Sequence, residues 1–174
     1  MSLYHTPNLN GIVKQLVPRR FDEGWGLWHA KAYIADDDVL ISGSVTIALN
    51  ASLSFSILLL HSANLSKDYF TNRQDRYMHI ANHPKLADYF HDFVQTSQSI
   101  SYSLDGQQST SWPASNRVPE PSWSKCNENK EQSAELYKDL QARWITNETD
   151  EGTDTQMRPF LQMGHYGIKE ETDL

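Results

Sequence analysis

His29-Ala30-Lys31-Ala32-Tyr33-Ile34-Ala35-Asp36-Asp37-Asp38-Val39-Leu40-Ile41-Ser42-Gly43 is the stretch on which the reading of this chain turns. From Trp28 to Ile34, bulky apolar residues alternate with others. Trp28, Ala30, Ala32 and Ile34 face one way, and His29, Lys31 and Tyr33 the other. Residues two apart in a strand point to the same side, so His29 and Lys31 project together. Asp36-Asp37-Asp38 makes a polar turn, Val39-Leu40-Ile41 is a second strand, and Ser42-Gly43 stops it. The prediction is a β-hairpin carrying a histidine and a lysine on one face. An imidazole beside an ammonium suits phosphoryl chemistry. The histidine can attack phosphorus, while the lysine holds a non-bridging oxygen and stabilises the charge that builds there. A His-x-Lys pair alone arises often by chance.

Outward from the hairpin, Gly11–Leu16 reads as a helix entered after Pro7-Asn8, and Arg76–Ile80 as another strand. Pro84 opens a helix with Leu86, Phe90, Phe93 and Val94 on one core-facing stripe. Ile100–Leu104 alternates as a short strand. From Asp105 to Glu135 only six of 31 residues are apolar, and Pro113, Pro119 and Pro121 stand among Ser, Gln, Asn and Glu. That composition predicts a flexible polar linker, extending over 105–156, with a short amphipathic helix carrying Leu136, Leu140 and Trp144. The tail, 157–174, reads as the start of a further unit.

The chain has 174 residues, 39% of them hydrophobic, and a formal net charge of −7. No basic stripe points to nucleic acid, and no polybasic arm to an anionic membrane. The single cysteine, Cys126, excludes an internal disulfide and a Cys-based zinc site, and reads as an inert thiol. His79 and His83 have a metal-compatible spacing, but no third ligand stands out, so a surface or core role is expected and no metal or cofactor is implied. Arg73 and Arg76 could meet a substrate phosphate or simply pair with Asp75. No signal or transit peptide is visible at the N-terminus.

The spacing His29-x-Lys31-x4-Asp36-x6-Gly43 resembles the signature of the phospholipase D superfamily at every fixed position. In that superfamily an asparagine follows soon after the glycine. Here Ala63-Asn64-Leu65-Ser66 comes 19 residues late. Joining Gly43 to Ala63 gives HAKAYIADDDVLISG-ANLSKDYFTNRQDRY, which resembles the first catalytic motif of the eukaryotic phosphatidylglycerophosphate synthases. The opening LYHTPNLNGIVKQLVPRRFDE and the end MRPFLQMGHYGI also resemble that family, so the likeness covers 1–43, 63–104 and 158–174.

The resemblance implies an α/β fold, a mixed sheet flanked by helices, of which this chain holds about one half. Residues 1–104 would be part of the first half and 157–174 the start of the second. Residues 44–62 would be an aberrant insertion from an unspliced intron or a wrong exon. His29, Lys31 and Asp36 occupy the catalytic positions, with Asp36 supporting the hairpin turn. Lys31 and Asn64 would bind the substrate phosphate, and Asp75 would orient the imidazole. The implied substrates are CDP-diacylglycerol and glycerol 3-phosphate, met peripherally at a mitochondrial membrane surface, without a cofactor and without nucleic acid. A second motif, absent from this sequence, would be needed for activity, because His165 has no lysine two residues on. Other readings within the superfamily are a phospholipid hydrolase, a cardiolipin synthase or a nuclease. Outside it stands a non-catalytic truncated product.

Overall fold

A computed structural model describes residues 1–8, 11–18, 31–42, 47–50, 77–122, 124–145 and 156–169. The chain divides into two compact units. One comprises Met1–Trp28, Phe93–Leu140 and Met163–Lys169, and the other His29–Asp92, Gln141–Gln162 and Glu170–Leu174. In chain order the elements are β1 (Ser2–Leu3), α1 (Gly11–Leu16), β2 (Ala32–Ala35), β3 (Asp38–Ser42), β4 (Ile47–Asn50) and β5 (Tyr77–Ile80). Then come α2 (Pro84–Gln98), β6 (Tyr102–Leu104), β7 (Thr110–Ser111), α3 (Cys126–Ile145), β8 (Gln156–Pro159), β9 (Gln162–Met163), a 3-10 turn (Gly164–Tyr166) and β10 (Ile168–Lys169). Helices and sheets together make an α/β chain, and every strand pair with a described register is antiparallel.

In the second of these units the predicted hairpin forms. Ala32 pairs with Ile41, Ile34 with Val39 and Ala35 with Asp38, leaving Asp36-Asp37 as a two-residue turn. Asp36 has φ 52°, a left-handed conformation that Asp tolerates better than most residues because its short side chain can bond locally. β3 is the central strand, flanked by β2 and β5. Its Val39 and Ile41, 0% and 1% exposed, face a core with Ile80, Leu86, Ala87, Tyr89 and Phe90, while Ala32, Ile34 and Met78 pack at its margin. Burying each large apolar side chain contributes roughly 1.5–3 kcal/mol.

α2 supplies the apolar half of this core for a local reason. Pro84 fits the first helical position, where no N–H is needed. His83 just before it caps the helix, its Nδ1 accepting from the Leu86 N–H at 3.1 Å. The stripe through Leu86, Phe90 and Phe93 is buried as predicted, but Val94 is 39% exposed. Tyr89 takes the inward position instead, its hydroxyl donating to Gln141 Oε1 at 3.0 Å and its ring edge-on to Trp144. Trp144 Nε1 in turn donates to Asp92 Oδ2 at 3.2 Å. Within the 44–62 stretch, β4 pairs antiparallel with β8, Ile47 opposite Pro159 and Asn50 opposite Gln156. The remainder of 44–62 lies outside the described residues.

The other unit holds the largest departure from expectation. The predicted linker, 105–156, is built structure over most of its length. Asp105 Oδ1 accepts from the N–H groups of Gln107 and Ser109, closing a turn between β6 and β7. Asn116 Nδ2 donates to Ser101 O, Trp112 Nε1 to Val118 O, and Asn129 Nδ2 to Pro119 O. α3 then runs 20 residues rather than one short segment. Tyr137 and Leu140 are fully buried. Segment 163–169, expected to open a new unit, belongs to this one.

Candidate functional site

Strand alternation sorts the β2–β3–β5 sheet into two faces. One is the core face just described. On the other, Tyr33 stands opposite Leu40, and Leu40 opposite His79, one row across all three strands. Tyr33 and Tyr77 are 39% and 48% exposed. Lys31 directly precedes β2 and shares the alternation parity of Tyr33, so the predicted phosphate ligand belongs to the outer face. Its neighbour Ala32 is registered against Ile41. The next cross-strand row therefore runs from Lys31 through the Ser42 position to Tyr77, which is registered against Ser42.

Asp36 is not brought to Lys31. It lies at the tip of the hairpin, five residues and roughly 16 Å along the strand, which is out of ion-pair reach. What the structure gives it is a turn conformation. The neighbouring Asp38 is the acid with partners. Its Oδ1 accepts from the Asn82 N–H at 2.9 Å, and its Oδ2 meets His79 Nε2 at 3.0 Å. The Asn82 bond first, and the His79 bond second, hold its carboxyl below the usual carboxylate range. His83 N also donates to Asp37 O at 2.9 Å. The acidic turn therefore fastens the left-handed Asn82 (φ 54°) ahead of α2. Sequence spacing did not single out Asp38; only the register, which sets it diagonally from His79, reveals the pair.

His29, Asn64 and Asp75 lie outside the described residues, as do Gly43, Arg73 and Arg76. Among the described residues no group of three or more His, Cys, Asp or Glu side chains could hold a metal, and no helix is long and apolar enough to cross a membrane. His79 and His83 are parted by their roles, one against Asp38 and one capping a helix.

A second polar cluster escaped sequence reasoning. Tyr4 Oη lies 2.8 Å from His165 Nε2 and 2.9 Å from Tyr166 Oη. Two proton arrangements satisfy all three groups: Tyr166 donates to Tyr4 and Tyr4 to a neutral His165, or His165 donates to Tyr4 and Tyr4 to Tyr166. Burial raises the Tyr4 hydroxyl far above its ordinary range and raises that of Tyr166 as well. Burial, then the Lys130 charge, pushes His165 down. The Tyr166 ring lies against Tyr137, their centroids 5.7 Å apart. Tyr166 is buried and Tyr4 and His165 are half-buried, their polar atoms turned to one another, so the cluster reads as a polar clasp.

The outer sheet face, with its lysine and exposed aromatics, defines a candidate phosphate-binding surface on an α/β chain. The chain is 44% identical over 105 residues to a "Probable CDP-diacylglycerol–glycerol-3-phosphate 3-phosphatidyltransferase" of Dictyostelium discoideum, covering 60% of this chain and 15% of the relative. It is 51% identical over 90 residues to the CDP-diacylglycerol–glycerol-3-phosphate 3-phosphatidyltransferase of Schizosaccharomyces pombe, covering 52% and 14%. It is 41% identical over 106 residues to the mitochondrial enzyme of that name from Bos taurus, covering 61% and 16%. The chain thus spans a small part of the length of these relatives. No protein-family model matches it, and no solved structure does.

Proposed function

We propose that this chain is part of a phosphatidyltransferase of the phospholipase D superfamily that moves a phosphatidyl group from CDP-diacylglycerol to glycerol 3-phosphate. The observation that carries the proposal is the 51% identity over 90 residues to an enzyme of that name, in a chain whose sequence holds His29-x-Lys31, with Lys31 just ahead of an edge strand. One motif histidine attacks the phosphorus of CDP-diacylglycerol. The P–O bond to CMP breaks, and CMP leaves with a proton from the partner histidine. The hydroxyl of glycerol 3-phosphate then attacks the phosphatidyl-histidine, giving its proton to that partner while the P–N bond breaks. The products are phosphatidylglycerophosphate and CMP. Lys31 and Asn64 hold the non-bridging oxygens, and Asp75 orients the His29 ring. The reaction belongs at a mitochondrial membrane surface, in keeping with the name of the Bos taurus relative.

This chain carries one such motif, so in this reading it supplies half of the catalytic pair. Purified chain incubated with CDP-diacylglycerol vesicles and glycerol 3-phosphate is expected to release no CMP on its own, and to do so when a segment with the second motif is supplied. Rapid CMP release by the chain alone would overturn the half-site reading. Failure of Lys31→Ala to weaken pyrophosphate binding would overturn the phosphate-site assignment. The 19 residues between Gly43 and Ala63 favour a second reading, a non-catalytic product. A transcript that keeps the 44–62 stretch in most copies would support it.

A further inference from the structure

The outer face of the sheet carries an aromatic ring where a phosphate-binding lysine alone would need none. Tyr33 is 39% exposed, although a strand could bury a ring of that size or place a small polar residue there. It is two residues from Lys31 on the same face, so their Cα atoms are roughly 7 Å apart. That spacing matches the reach of a nucleoside from its phosphate to its base. Tyr77, the other exposed ring, belongs to the Lys31 row but sits two strands away, roughly 10 Å at the Cα atoms.

We infer that Tyr33 is the platform on which the base of a cytidine nucleotide stacks while Lys31 holds its phosphate. The inference rests on the phosphate-site reading above and deepens it by naming the residue that senses the nucleotide. Three observations support it. The Tyr33 ring projects from an edge strand, because β2 pairs only with β3 among the described strands, so one flank of the ring is open to a ligand. Leu40, opposite Tyr33, is partly buried and gives the ring an apolar neighbour. The core side of the strand is fixed by Ala32 and Ile34 packing on the core, and a register slip that turned Tyr33 inward would expose both of them. A π-face accepts any base, so specificity for cytidine lies elsewhere; Tyr33 supplies affinity for the nucleotide over a bare phosphate.

The test is calorimetric titration of the full chain with CDP and, separately, with inorganic pyrophosphate. Lys31→Ala should weaken both. Tyr33→Thr, which keeps strand propensity, should weaken CDP about tenfold and leave pyrophosphate within twofold. Tyr33→Phe should keep both, and Tyr77→Thr should leave CDP within twofold. All variants should melt with the parent. Unchanged CDP affinity in Tyr33→Thr, or equal loss of CDP and pyrophosphate, would overturn the base platform while leaving the phosphate site standing. Full pyrophosphate affinity in Lys31→Ala would bring down the phosphate site itself.

Discussion

The outer face of the β2–β3–β5 sheet and the Tyr4–His165–Tyr166 cluster are made of the same residue types and use them in opposite ways. On the sheet, Tyr33 and Tyr77 stand exposed over a floor of Val39 and Ile41, beside a His79 that is paired with Asp38. In the cluster, two tyrosines and a histidine are turned inward and spend their polar atoms on one another. The first arrangement leaves groups available to a ligand. The second satisfies buried polar atoms that would each otherwise cost stability. Residue chemistry alone does not separate a site from a clasp; exposure and partners do.

The sharpest way to break the contrast is to remove its apolar floor. Ile41→Ala should cost roughly 2–5 kcal/mol of unfolding free energy in a denaturant titration, and a loss under about 1 kcal/mol would mean that the outer face does not depend on that packing. Next is the clasp. Tyr4→Phe deletes the hydroxyl shared by His165 and Tyr166 and should cost about 1–3 kcal/mol. The same deletion at exposed Tyr33 should fall within about 0.5 kcal/mol. Equal effects at the two tyrosines would erase the distinction.

Proton linkage sharpens it further. His165 sits below its ordinary value of 6.5 in the fold, so the unfolded chain takes up more protons as the pH falls. Stability is held above about pH 6.5 and declines below it. Tyr4 and Tyr166 are raised above 10.0, so the folded chain keeps protons that the unfolded chain loses, and stability declines as the pH rises past that value. Urea midpoints across this range should trace a plateau, with an acid limb that becomes shallower in His165→Gln. His5, also lowered by burial and by Lys14, retains part of that limb. The smallest effect belongs to Asp38→Asn at the exposed acidic turn. It should leave the melting temperature nearly unchanged while speeding hydrogen exchange at the Asn82 amide.

Local rules made one part of the chain legible. The hairpin, the acidic turn, the strand ending at Ile80 and the helix from Pro84 depend on period-two and period-3.6 patterns and on turn residues. Those act within a dozen positions. The stripe rule cannot choose between Val94 and Tyr89, and the fold turns Tyr89 inward, where its hydroxyl finds a partner in Gln141. Scarce apolar residues make 105–135 look like a linker. The fold holds them instead with amide and indole groups that bond to distant backbone carbonyls, Asn116 to Ser101 and Asn129 to Pro119. Such bonds leave no periodic trace. Of the candidate site, the parity of Lys31 and Tyr33 was readable, whereas the Asp38–His79 pair required the strand register. The assignments of His29, Asn64 and Asp75 rest on the sequence signature.

Tyr4 meets His165 across 161 positions, and β1 pairs with β6 about 100 residues downstream. A ribosome makes the first partner of each contact long before the second. Until Tyr166 has left the exit tunnel, Tyr4 lacks its bonds to His165 and Tyr166, and Tyr137 lacks one of the rings that cover it. Long-range closure of this kind slows folding, and a nascent chain with unpaired aromatic surface is prone to aggregate. This unit therefore cannot close until residues 165–169 have been made, and its yield in a cell should depend on chaperones that hold the N-terminal strand until then.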